Sequence, residues 1–270
     1  VTVTFLSMVC IILLPRQFHV AVVENNSETE IRRAAWLFPV YLILINLFVV
    51  PLAAAGILSL PQGFDADSFV LALPLRAGNE AITLFTFVGG LSAATAMVIV
   101  DSVALAIMVC NGLVVPLLLH RQFDGERVQR EDMAWRLLAI RRLAIFAVIL
   151  LGYLFYRLLG HTHGLATIGL VSFAAIAQFA PAFLGGLIWR NATARGAIAG
   201  IVSGFTVWSY TLLLPSIVEA GWLPRTLLTD GPFGIGFLAP HSLFYLHFEP
   251  LTHGVLFSIS VNVLMFISVS

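Results

Sequence analysis

The chain has 270 residues, 60% of them hydrophobic and 10% charged, where a soluble domain carries roughly 45–50% apolar and ~25% charged residues. With a mean hydropathy of +0.99, this composition excludes a soluble enzyme, a disordered chain and a nucleic-acid-binding domain, and predicts an all-α, polytopic membrane protein. The 14 basic residues, all arginine, balance 14 acids, so net charge says nothing about partners. The two cysteines, Cys10 and Cys110, lie in apolar runs and read as small buried hydrophobes.

A helix needs about 20 apolar residues to cross a bilayer core of ~30 Å. In chain order, the apolar runs bounded by charge are 1–14 (partial), 36–60, 83–119, 143–159, 165–189, 196–218 and 254–270. The chain opens without Met, and both ends fall inside apolar runs with no basic segment before the first. The expectation is a single transmembrane domain over 1–270, of about seven spans, belonging to a longer chain.

The run 83–119 would reach about 55 Å as a helix, so it is either one tilted span or a hairpin turning near Gly89-Gly90. Loop charge decides between them. Segments 15–35, 120–142 and 190–195 hold 11 of the 14 arginines, whereas 61–82, 157–164 and 219–253 hold only Arg76, Arg157 and Arg225. The positive-inside rule makes the first set cytoplasmic, and alternation then requires 83–119 to cross once, as a single long helix. A tag at Asp124 is therefore expected to react only from the cytoplasmic side; labelling from outside would overturn the topology. The sequons at Asn25 and Asn191 fall on that same side and are set aside. In the outer segment 219–253, His241, His247 and His253 are equally spaced and read as interfacial histidines ahead of a metal site. The expected location is the cell inner (plasma) membrane.

Polar groups at mid-depth are the candidates for function, because each opposes insertion. Asp101 is the only acid or base well inside a predicted span, where it costs roughly 2.5–3.5 kcal/mol; it reads either as a cation or proton site or a contact lining a pathway, or as an acid near the helix end held by a neighbouring helix's donors. On the same helix, Ser92 and Thr95 are three residues apart and share a face, in a stretch whose small residues permit close helix approach. Their hydroxyls either bond back to the preceding turn or serve as oxygen ligands for a hard cation such as Na+. Gln178, in Ala177-Gln178-Phe179-Ala180-Pro181, is a mid-span amide beside a proline that removes a helix hydrogen bond. Breaks of this kind mark transporter sites, and packing kinks share the pattern. No His-Glu-x-x-His, Gly-x-Ser-x-Gly, Walker loop or Cys-x-x-Cys is present, so no catalytic site is expected and a membrane enzyme is the weakest reading.

Three stretches resemble the sodium:solute symporter family, the proline-permease-like transporters. The first runs Gly169-Leu-Val-Ser-Phe-Ala, Ala177-Gln-Phe-Ala-Pro181, Leu187-Ile-Trp-Arg190 and Arg195-Gly-Ala-Ile-Ala-Gly200, and is similar to the last core helix, its basic turn and the helix that follows. The second, Pro15-Arg-Gln-Phe-His19, resembles the polar end of the sixth core helix. The third, Ser92 to Pro116, resembles the eighth. The resemblance implies an inverted-repeat (LeuT-like) fold, of which this chain carries the second repeat plus trailing helices. It implies transport of a small organic solute, an amino acid or carboxylate, by alternating access coupled to Na+. It places a cation-ligating hydroxyl at Thr95, beside which Ser92 and Asp101 complete the candidate cation site, and substrate contacts at Gln178 and Gln17. The family's paired hydroxyls fall at Thr95 and Ala96, so one of the two is lost. The stretch Leu14 to Glu24 further resembles a branch in which this domain precedes a cytoplasmic sensor histidine kinase. The alternative function is therefore a nutrient-sensing input domain with a C-terminal signalling partner. The lipid bilayer and a small-molecule solute are the other expected partners; no nucleic acid is expected.

Overall fold

The computed structural model describes residues 1–116, 130–159, 164–241, 243–246 and 248–270. They are predominantly helical, with no strand among them. In chain order the α-helices are α1 (Thr2–Leu13), α2 (Pro15–Phe18), α3 (Glu28–Asn46), α4 (Val49–Ser59), α5 (Phe69–Arg76), α6 (Glu80–Val109), α7 (Arg130–Leu159), α8 (Leu165–Ile176), α9 (Ala180–Ile188), α10 (Ala194–Trp208), α11 (Leu214–Glu219), α12 (Thr226–Thr229) and α13 (Pro250–Val269).

Six stretches are long and apolar enough to cross a membrane: Glu28–Ser59, Glu80–Val114, Leu137–Arg157, Leu165–Ile188, Ala194–Glu219 and Pro250–Val269. Taking Thr2–Leu13 and Pro15–Val23, which meet at 47°, as one broken span makes seven. The protein is a multi-pass membrane protein, and these stretches overlap the seven runs read from the sequence. Helix α6 passes unbroken through Gly89-Gly90, so the run beginning at 83 is one long helix there. Asn79 starts it by accepting the Ile82 N–H at 3.1 Å on its side chain, with Glu80 in the first turn where the helix dipole favours an acid. Thr193 caps α10 in the same way, accepting from Gly196 N–H at 3.1 Å. Loop 120–142 lies partly outside the described residues, and with it Asp124.

Prolines place several irregularities. Pro181 has no N–H, so the Ala177 carbonyl loses its usual donor four residues on. Ala180 N–H donates to it instead, and Ala177–Phe179 tightens into a 3-10 turn between α8 and α9. Pro116 and Pro215 each lie two residues beyond a five-residue π turn, Cys110–Val114 and Ser209–Leu213. There Val115 N–H reaches back to Cys110 and Leu214 N–H to Ser209. At the second turn hydroxyls cover nearby carbonyls: Thr211 donates to Val207 at 2.8 Å and Ser216 to Leu212 at 3.0 Å.

The described chain divides into two compact units, Val1–Phe18 with Leu151–Ser270, and His19–Leu150. In the second, Gly56 of α4 lies against the Phe69 ring of α5, and a Cβ there would come within 2.6 Å of it. Apolar side chains of α3 and α6, such as Trp36, Leu44, Phe85 and Leu91, are exposed, as lipid-facing residues are. The first unit has the buried core: Leu6, Val9, Ala174, Ala177, Ala180, Leu212 and Val255. Both cysteines are buried free thiols.

The first unit also orders its loops by end. The Thr2 and Thr252 hydroxyls bond at 2.9 Å, and Thr193 N–H donates to Ser270 Oγ at 3.3 Å. The start of α1 therefore meets the start of α13, while the end of α13 meets the 190–195 turn. Helices α1 and α13 therefore run parallel, and α10 runs antiparallel to α13.

Candidate functional site

The only buried side-chain amides among the described residues, Gln178 and Asn262, meet inside the first unit. Gln178 sits in the 3-10 turn that Pro181 imposes, and its side chain is 0% exposed. Its two amide hydrogens go to Ala174 O at 3.0 Å and Ser258 Oγ at 2.9 Å. Asn262, on α13 and equally buried, donates to the Gln178 backbone carbonyl at 2.7 Å and to its side-chain oxygen at 3.3 Å. Ser258 lies one helical turn before Asn262 and passes its own proton to Val255 O at 3.3 Å. Two residues of α13 thus clamp both the side chain and the backbone of the residue at the break.

Glycines of α10 make room for this clamp. Gly196, Gly200 and Gly204 recur every four residues and line one helix face. A Cβ on Gly204 would come within 2.6 Å of Asn262 Nδ2, and one on Gly200 within 2.7 Å of Asn262 Oδ1. Asn262 Oδ1 is buried and accepts no conventional hydrogen bond from the described residues. The Gly200 Cα–H faces it, a weak donor of the kind found where helices touch closely.

His253, in the first turn of α13, is 0% exposed. Its Nε2 accepts Leu243 N–H at 3.1 Å, and its ring lies 4.7 Å from that of Phe257. His241 is half-buried and His247 lies outside the described residues. Among the described residues no group of three His, Cys, Asp or Glu converges to hold a metal ion.

The other residues singled out by sequence are placed as follows. Gln17 is half-buried on α2, in the same unit as Gln178. Ser92, Thr95 and Asp101 are exposed on α6 in the other unit. Thr95 donates to Leu91 O at 2.7 Å, which leaves its lone pairs facing outward. Ser92 and Thr95 share a face, but at 100° per residue Asp101 points about 180° from Ser92 and lies ~9 Å beyond Thr95 along the axis. Ser102 is the residue that continues the Thr95 face, seven positions on; it is buried and donates to Ile99 O at 3.0 Å.

Comparison with known protein families, curated proteins and solved structures finds no match for this chain. The site is therefore argued from its own geometry.

The sequence reading passes over Asn262, Ser258 and Ser102. Two signals for the first pair were present: Ser258 and Asn262 stand four residues apart in an apolar span, and Gly196, Gly200 and Gly204 mark a close helix contact that must cover something.

Proposed function

We propose that this chain is part of a sodium:solute symporter-like domain of the plasma membrane that binds a small organic solute, an amino acid or carboxylate, and moves it by alternating access with Na+. The observation that carries this reading is the broken span Leu165–Ile188, whose break holds a buried amide clamped by Asn262 and Ser258. A span interrupted at mid-depth, and held there by side chains, is the element that membrane carriers use for site and hinge together. Neutral hydrogen bonds contribute about 1 kcal/mol each net, so the clamp can exchange partners during a conformational cycle. In this scheme Gln178 reaches solute only when its bonds to Ala174 and Ser258 open, and Gln17 supplies a second amide. Ser92 and Thr95 offer oxygens to Na+ from one face of α6. Asp101, on another face, tunes the field rather than joining the same ligand set.

The test is uptake by the full-length protein in liposomes, against a panel of labelled amino acids and carboxylates, with an inward Na+ gradient. Accumulation that collapses with a Na+ ionophore is expected. Thr95→Ala should lower the Na+-dependent rate about tenfold, the loss of roughly 1.4 kcal/mol of ion affinity. Asp101→Asn should shift the cation or pH dependence. Uptake indifferent to the Na+ gradient would remove the cation site, and solute binding without uptake would favour the sensing role that the Leu14–Glu24 stretch implies.

A further inference from the structure

A buried histidine ties the outer segment to α13. His253, in the first turn of that helix, is 0% exposed, and its Nε2 accepts the Leu243 N–H at 3.1 Å. A neutral imidazole has one bare nitrogen and one N–H. The bond from an amide donor makes Nε2 the bare one, so the proton sits on Nδ1, which has no partner among the described residues. Nε2 is therefore the nitrogen that must take a second proton. Protonation would set N–H against N–H and place a charge in a site closed to water. Both are costly, and one movement relieves both: Leu243 leaves the ring and water enters.

The backbone beside this bond is strained. Phe244 is at φ 57° and ψ 29°, a left-handed conformation that a residue with a Cβ keeps only where its surroundings hold it. The holding contacts are the Leu243 bond, the buried Leu243 side chain, and the Phe244 ring 6.0 Å from that of Phe257 on α13. Upstream, Tyr210 donates to Leu238 O, and Ala239 and Pro240 are buried. Downstream, His253 N–H donates to Glu249 O at 2.8 Å. Leu243 and Phe244 thus lie between two anchors, and the His253 side chain fastens their backbone to α13.

We infer that His253 is a pH-operated latch: neutral, it holds Leu243 and Phe244 against α13; protonated, it releases them. His241 faces it from the same segment, and two positive charges there would repel. Glu249, one turn before it, and Glu219, at the end of α11, are exposed, as are Arg225 and Asp230 earlier in the outer segment. Tyr210 is committed to Leu238. Helix α8 carries no ionisable side chain, and α1 carries only Cys10, which donates to Phe173 O at 3.4 Å. Helix α10 carries only Arg195, at the opposite end of α13. His241 and Glu249, on either side of the latched residues in the chain, line a cavity of about 310 Å³ where α8 and α13 begin. Release would alter that wall, and it is measurable whether or not solute crosses the membrane.

The test is hydrogen exchange, read by mass spectrometry on the full-length protein in nanodiscs, for the peptide containing Leu243, between about pH 8 and about pH 5, where histidines titrate. After correction for the intrinsic pH dependence of exchange, protection is expected to fall about tenfold per pH unit once His253 takes its proton, the slope of a one-proton linkage. His253→Gln offers Leu243 an acceptor that cannot charge, and should lose the pH dependence. His241→Gln and His247→Gln should keep it. A spin label on Leu246→Cys, an exposed position, gives a second reading that needs no histidine variant: it should gain mobility over the same pH interval. Protection or label mobility that ignores pH in the parent overturns the latch. So does a fall that persists in His253→Gln, or one that vanishes in His241→Gln or His247→Gln.

Discussion

Gly204→Ala is expected to destabilise the protein by about 3 kcal/mol, measured as unfolding by heat or by SDS titration in detergent. The added methyl would lie within 2.6 Å of Asn262 Nδ2 and 2.9 Å of Asn262 Cβ, and would press on Gln178 Oε1. None of these can yield cheaply, because Asn262 and Gln178 are 0% exposed and bonded to each other. Relief requires α10 to part from α13 or the amides to rotate off their partners. Overpacking a tight site costs typically 1–3 kcal/mol, and an orphaned buried amide about as much again. Gly186→Ala in α9 is the control. A Cβ there meets nothing within 4 Å, so the change should be neutral or stabilise the helix by about 0.5–1 kcal/mol. Equal stability of the two variants would mean that α10 and α13 do not approach as described.

The contrast between these glycines shows what the sequence could and could not reveal. The membrane-spanning stretches were legible because apolar length is a local quantity, set by neighbours in the chain. The break at Gln178 was legible for the same reason, since Pro181 removes a donor at a fixed offset. The equivalent signal at Pro116 and Pro215 was present and unused; each proline lies two residues beyond a π turn. The clamp was not legible, because its halves are 84 positions apart and an asparagine in an apolar run carries no charge to draw attention. On α6 the single acid did draw attention, yet continuous helix geometry sets Asp101 and Ser92 on opposite sides. Ser102, one residue away, is the buried neighbour of the Thr95 face. Charge located the unusual residue, but the helical period decides which residues act together. Whether Thr95, Ser92 and Asp101 meet a cation is a matter for the uptake experiment.

Gln178 and Asn262 should prove energetically coupled. Asn262→Leu removes both donors to Gln178, leaving its side-chain oxygen unpaired in a buried site. Gln178→Leu frees Asn262 from the 3.3 Å bond and Ser258 from the 2.9 Å bond, while the 2.7 Å bond to the backbone carbonyl at 178 survives. Each single change should cost about 2 kcal/mol, the range for stranding a buried polar group. Asn262→Leu should be the more damaging, because it alone releases the backbone at the helix break. The double variant leaves fewer stranded groups, so its cost should fall below the sum of the singles by about 1 kcal/mol or more. Strict additivity would show that the two amides do not interact. Stability and solute movement should also separate. If the clamp is a hinge contact, the double variant, though less destabilised than the sum of the singles, should lose uptake in liposomes, because an apolar pair has no bonds to exchange as the broken span moves. Retained uptake in the double variant would reduce the clamp to a packing contact, and would move the search for the hinge to the π turns before Pro116 and Pro215.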